Sequence, residues 1–200
     1  MIGNDVVDLE LSRRQSNWRR NGFLEKVFSK AEREIILTSE DHELHVWLLW
    51  SMKEAAYKAH QRKFRLPRNL NWLAQQTEII KQEEGGAIGL VKIDAEEYST
   101  TSEVTSAYIH TCSKSREIRG VKNAIFETPS SEAKKQLLQE VSRHFAIDQD
   151  QLSLKKTSAG IPFFETQGEP IFTHFSLSDH GKFSAYSLSL INCETPVKHT

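Results

Sequence analysis

Val46-Trp47-Leu48-Leu49-Trp50-Ser51-Met52-Lys53-Glu54-Ala55-Ala56-Tyr57-Lys58-Ala59 is the stretch on which the reading of this chain turns. Met52, Ala55, Ala56 and Ala59 recur at the spacing of one buried helical face. Glu54 and Lys58 stand one turn apart on another face, with Ser51 and Trp47 along the same stripe. Taken alone, the pair reads as a solvated ion pair on a core helix, a weak contribution to stability. The rest of the chain decides whether it is more.

Working outward, the chain is long enough, at 200 residues, for one large domain or two small ones. Hydrophobic residues make up 38% and charged residues 26%, which suits a folded protein with a sizeable core. A formal net charge of −1 supplies no global basic field for nucleic acid. Cys112 and Cys193 lie far apart without metal-ligand spacing and fit half-buried thiols in strands, in a reducing compartment. The start, Met1-Ile2-Gly3-Asn4-Asp5, runs directly into structured-looking sequence rather than a signal peptide, and no apolar run is long enough to span a bilayer. A cytoplasmic protein with no membrane contact is the expectation.

Upstream of the central stretch, residues 1–9 read as a short strand, with Ile2, Val6, Val7 and Leu9 apolar and Gly3 allowing close backbone approach. Asp5 interrupts it. A carboxylate there faces water at a strand end, is paired, or binds a cation. Arg13, Arg14, Arg19 and Arg20 form a basic patch on or near a first helix. Ser29-Lys30-Ala31-Glu32 matches a capping box that opens a helix to about Leu37. Ser39 is a candidate cap for the long helix, roughly 41–62, and Pro67 lies beyond its end. The basic run 60–68 suits either phosphate binding or an ordinary helix C-terminus.

Downstream, 77–81, 87–94 and 103–112 read as strands, with Gly85-Gly86 as a hairpin signal. Residues 113–128 are polar and end at Thr128-Pro129, where a boundary is placed. A helix follows to about Phe145 on a Leu137, Leu138, Val141 stripe, then a strand near 151–157, a turn at Ala159-Gly160-Ile161-Pro162 and a further short strand. Strands at 172–178 and 183–191 flank a tight turn at Asp179-His180-Gly181-Lys182. Two helix-plus-strand units, 1–128 and 129–200, predict an α+β fold.

Gly3-Asn4-Asp5-Val6-Val7 followed by Trp50-Ser51-Met52-Lys53-Glu54-Ala55-Ala56-Tyr57-Lys58 resembles the 4′-phosphopantetheinyl transferase superfamily, whose signature is a Gly-x-Asp strand and then Trp-Ser/Thr-x-Lys-Glu-Ala-x-x-Lys. Leu152-Ser153-Leu154-Lys155, Ala159-Gly160-Ile161-Pro162-Phe163 and Phe175-Ser176-Leu177-Ser178 are similar to that family's strand, Gly-Lys-Pro turn and Ser-x-Ser-His strand. In surfactin-type members this segment precedes the Asp and Glu half, so the resemblance implies two similar helix-plus-antiparallel-sheet halves in circularly permuted order. It also implies a monomeric pseudo-dimer with one site in the cleft between halves.

The resemblance implies transfer of phosphopantetheine from coenzyme A to a serine of an apo acyl or peptidyl carrier protein, releasing adenosine 3′,5′-bisphosphate. It makes Asp5 and Glu54 ligands of Mg²⁺, a cation that commonly takes one or two carboxylates plus phosphate oxygens. Glu54 is also the candidate base, directly or through water, and Lys58 stabilises developing phosphate charge. Lys53, Ser178, His180, Lys182 and, more weakly, Lys135 are implied for coenzyme A, and Arg13 and Arg14 for carrier docking. The chain departs from the pattern in three places: Val7 stands where surfactin-type members carry a second acid, Asp179 separates Ser178 from His180, and His60-Gln61-Arg62-Lys63-Phe64 replaces a glycine-rich segment. Two other readings therefore stay open. One is a weakened relative that binds carrier protein or coenzyme A without efficient transfer. The other is a nucleic-acid module using 60–68 and 113–122, which scattered charge alone supports.

Overall fold

The computed structural model describes residues 1–128 and 130–190. Strand β1 (Ile2–Asp8) is buried along its whole length although it carries Asn4, Asp5 and Asp8. Such a strand is stable only where its polar groups are answered, and its two edges and one face do this. One edge pairs with β5 (Tyr108–Ser115), the start of a five-stranded antiparallel sheet. Beyond β5 come β4 (Glu96–Val104), β3 (Gly86–Ile93) and β2 (Gln75–Glu83).

Helix α4 (His42–Phe64) lies against this sheet. Gly3 makes the close approach possible: a Cβ there would fall 1.9 Å from the Ala55 carbonyl oxygen. The cross-strand partners of Gly3 and Asp5 are Ser113 and Thr111, and next across are Thr100 and Ser102, all small and buried. A shelf of small residues thus seats Met52, Ala55, Ala56 and Ala59, the predicted buried face. Helices α2 (Phe23–Val27) and α3 (Lys30–Thr38) cover α4 from the other side, so much of its middle is buried all round.

The second unit places α5 (Ser130–Phe145) on a sheet of order β10-β11-β6, built from β6 (Lys122–Phe126), β10 (His174–His180) and β11 (Phe183–Ser189). Strands β7 (Leu152–Lys156), β8 (Pro162–Thr166) and β9 (Glu169–Ile171) form a third small sheet. Leu137, Val141, Phe164, Phe175, Tyr186 and Leu188 form the core beneath α5. Each unit is a helix on antiparallel strands, so the α+β expectation holds.

Side chains of β10 close the second edge of β1. The Asn4 N–H donates to Ser176 Oγ at 2.9 Å, and the Asp8 N–H donates to His180 Nδ1 at 2.9 Å. Asp8 also caps α1 (Leu9–Gln15) through the Leu11 N–H and accepts the Lys182 N–H at 3.1 Å. Burial pushes the Asp8 carboxyl up, but these backbone N–H groups outweigh it and hold the pKa below its ordinary value. Gly181, at φ +58, lies against this carboxylate, where a Cβ would meet Asp8 Oδ2 at 2.2 Å. Val6, Phe183 and Ala185 add an apolar seam between the units.

Several local expectations change. Asp41, not Ser39, caps α4 by accepting the Leu44 N–H at 2.9 Å, while the Ser39 hydroxyl closes α3 on the Ile36 carbonyl. The expected strand 103–112 is the junction of two strands, turned at 105–107; β4 was hidden because Glu96-Glu97-Tyr98-Ser99-Thr100-Thr101-Ser102-Glu103 is polar. Strand β6 lies before Thr128 in sequence but pairs with β11, so the chain changes sheets at 116–121. Strand β10 runs on through His180, leaving only Gly181-Lys182 as the turn. Cys112 is buried on β5; Cys193 and residue 191 of the expected last strand lie outside the described residues. No described helix is long and apolar enough to cross a membrane.

Candidate active site

Asp5 extends from β1 on the Gly3 face, toward α4, because alternate strand residues share a face. Lys58, on the facing stripe of α4, reaches it at 3.1 Å and donates also to the Asn4 carbonyl at 2.8 Å. Glu54 lies one turn earlier and opens on the same cleft. Burial raises the Glu54 pKa to about 7; the negative charge of Asp5 adds to the rise, and Lys58 and Arg68 oppose it. Two carboxylates that repel each other beside one lysine make a donor set suited to a hard cation. Among the described residues no cluster of three or more metal-ligating side chains forms, and Val7, on the same face two residues on, offers only methyl groups. The protein can therefore supply two carboxylates to a Mg²⁺ ion, leaving the other positions to water and substrate oxygens.

The cleft runs between the two units as two adjoining cavities of about 380 and 290 Å³, which share Glu54, Lys58, Arg68 and Asp179. The larger is walled by Arg62, Lys134, Lys156 and the Gly160 turn. The smaller passes Asp5 and Val7 to an aromatic wall of Trp47 and Trp50, where the Trp47 Nε1 is buried without an acceptor among the described residues.

A family model described as the 4′-phosphopantetheinyl transferase superfamily matches residues 1–113. This chain belongs to that superfamily. The match takes in β1, α4 and most of β5, hence Asp5, Glu54 and Lys58 together. No curated protein matches the chain significantly.

For a phosphopantetheinyl transferase, the remaining predicted residues separate sharply. Lys53 does not face the cleft. It is wholly buried on the opposite side of α4, paired with Glu32 at 2.6 Å and donating to the carbonyls of Val27 and Trp72. Neighbours on a helix point about 100° apart, and these partners hold the Lys53 ammonium away from the cleft that Glu54 lines. Lys53 instead clamps α2, α3 and the turn before β2 onto α4. Burial lowers its pKa, and the Glu32 carboxylate offsets part of that fall.

Ser178 points with Ser176 and His180 toward β1, and its Oγ is buried without a partner among the described residues. His180 borders the smaller cavity, but its Nδ1 is taken by the Asp8 N–H. Leu177 and Asp179, of opposite parity, line the larger cavity, and Asp179 borders the smaller one as well. Lys182 turns outward to Glu127 at 2.7 Å. Lys135 is exposed and borders neither cavity; its neighbour Lys134 lines the larger one. Arg13 pairs with Glu43 at 3.4 Å and Arg14 with Glu10, around a recess that shares Ser16 with the smaller cavity. They stand beside the mouth, not inside it.

Sequence reasoning missed Arg62, Arg68, Lys134 and Lys156 as individual site residues. For Arg62 a signal existed: Glu54, Lys58 and Arg62 continue one helical stripe at four-residue spacing. Arg68 comes from the loop after α4, and Lys134 and Lys156 from α5 and β7, which only the packing of the second unit brings to the cleft.

Proposed function

We propose that this transferase moves 4′-phosphopantetheine from coenzyme A to a serine of an apo acyl or peptidyl carrier protein, with Mg²⁺ as cofactor. The observation that carries the reading is the meeting of Asp5, Glu54 and Lys58 at the junction of a cationic cavity and an aromatic one. The cationic cavity suits the adenosine and phosphate end of coenzyme A, and the Trp47–Trp50 side suits the pantetheine arm and the incoming serine. Both walls come from a single chain, which supports a site complete in a monomer, and Arg13 and Arg14, beside the mouth, would meet an acidic carrier surface.

Asp5 and Glu54 would hold Mg²⁺, which when bound neutralises pyrophosphate oxygens that the carboxylates alone would repel. Glu54, as carboxylate, accepts the serine proton directly or through one water. The serine oxygen forms its bond to the phosphorus bearing pantetheine while that phosphorus loses its bond to the bridging oxygen, which leaves with adenosine 3′,5′-bisphosphate. Lys58, anchored by Asp5 and the Asn4 carbonyl, places a fixed positive charge where charge gathers on the departing oxygens.

Mass spectrometry of apo carriers from several pathways, incubated with coenzyme A and Mg²⁺, tests this. One phosphopantetheine of added mass is expected, lost with Glu54→Gln and with chelator. No gain on any carrier would reject transfer. The presence of Asp179 on the cleft wall favours one alternative, a relative that binds carrier or coenzyme A without efficient turnover. Calorimetric binding with no mass gain would select it.

A further inference from the structure

Arg62 completes the Glu54–Lys58 stripe deep in the larger cavity. Its Nη1 donates to the Lys58 carbonyl at 3.1 Å. Its Nε is shut off from solvent and meets no acceptor, and among the described residues no carboxylate pairs with it. Burial alone pulls the guanidinium down to about 10, with no negative group raising it. Lys53 differs: that lysine is wholly buried, and Glu32 and two carbonyls answer it. An enclosed cation without a counter-ion weakens a fold and is retained where something else supplies the anion.

The cavity shows what that anion is. Lys58, Arg68, Lys134 and Lys156 share the wall with Arg62, against only two acids, Glu54 and Asp179. Five cations around one cavity attract a polyanion, and a guanidinium whose Nη2 has no partner among the described residues offers a charge-assisted donor to a phosphate oxygen. Resting on the transferase reading above, we infer that Arg62 is the phosphate anchor of the cleft, gripping a phosphate oxygen of coenzyme A through Nη2. Lys58 below it then meets the same phosphate chain one helical turn nearer the reacting phosphorus. Arg62 touches substrate and fixes its depth in the cleft.

The test is calorimetry on the intact protein with coenzyme A, dephospho-coenzyme A and inorganic pyrophosphate, together with thermal melts without ligand. Arg62→Met should bind coenzyme A about 10- to 100-fold more weakly than wild type, the loss of a charge-assisted hydrogen bond. Arg62→Lys, which keeps the charge and loses the guanidinium, should fall between. The unliganded Arg62→Met protein should melt at or above wild type, since an unanswered charge is gone. An equal loss with dephospho-coenzyme A assigns the grip to the pyrophosphate; a loss confined to coenzyme A assigns it to the 3′-phosphate. Unchanged coenzyme A affinity in Arg62→Met overturns the inference, as does an unliganded melt well below wild type, which would make Arg62 a structural residue. If wild type binds pyrophosphate but no coenzyme A, the transferase reading fails while a pyrophosphate loss in Arg62→Met still upholds the anion site. Binding of neither ligand by wild type rejects both.

Discussion

Glu54→Gln in metal-free protein should raise stability at alkaline pH and leave it unchanged in acid. Burial, with the Asp5 charge beside it, raises the Glu54 pKa from 4.5 to about 7. A carboxyl with a raised folded-state pKa binds its proton more tightly when folded. Its favourable contribution is complete below about pH 4.5 and is lost as pH rises through about 7, where the folded protein must hold a buried carboxylate. That gap corresponds to about 3 kcal/mol at most, at about 1.4 kcal/mol per pH unit. Glutamine has the same shape and never ionises, so the variant escapes the penalty. Guanidinium melts of both proteins in chelator should coincide near pH 4.5 and diverge by up to about 3 kcal/mol at pH 8.5, about 6–12 °C in Tm for a chain of this size. Saturating Mg²⁺ at pH 8.5 should stabilise wild type and leave Glu54→Gln unmoved. Parallel pH profiles for the two proteins, with or without Mg²⁺, would refute both the strained carboxylate and its role as a cation ligand.

Lys53→Met should cost about 3–5 kcal/mol in denaturant melts, because it leaves Glu32 buried and unpaired, and Lys53→Met with Glu32→Gln should recover much of the loss. A Lys53→Met protein as stable as wild type would contradict the clamp. Gly3→Ala sets a Cβ against the Ala55 backbone, so it should lower Tm and also weaken Mg²⁺-dependent stabilisation as Glu54 moves from Asp5; normal values of both would remove the close-contact argument. Asp179→Asn takes one negative charge off the wall facing the cationic cavity, and should lower KM for coenzyme A about tenfold, an effect of about 1.4 kcal/mol. An unchanged KM would mean that Asp179 stays clear of the bound phosphates.

Legibility in the sequence followed the range of the interactions involved. The capping box at Ser29 and Glu32 and the buried face of α4 are local, set by neighbours within one or two turns, and both are present as expected. Ser39 and Asp41 are rival caps two residues apart, and geometry at the helix entrance chose between them. Strand β4 is polar because one face is solvated while its inward Thr100 and Ser102 are small residues under α4, so no apolar alternation announces it. Strand β6 reads as a polar tail because its pairing partner, β11, lies some 60 positions later.

The site divides in the same way. Asp5, Glu54 and Lys58 are legible because a short strand and one helical stripe each dictate where a side chain points, and the order of the two segments carries the rest. Lys53 shows the limit: adjacent to Glu54 in the same motif, it is turned by the helical rotation into the core, and only the position of α3 makes it the partner of Glu32. The sequence by itself determined the α+β class and the shared helical face of Glu54 and Lys58, since those depend on periodicities of two and of 3.6, while the pairing of Asp5 with Glu54 is what the motif resemblance implied. The tertiary structure alone decided that Asp179 rather than His180 lines the cationic cavity, because the Asp8 backbone captures His180 across the seam. It alone also set Arg62 into a cavity where, among the described residues, no carboxylate pairs with it, because part of that cavity's wall comes from α5, β7, β10 and the Gly160 turn, and burial depends on what arrives from a distance.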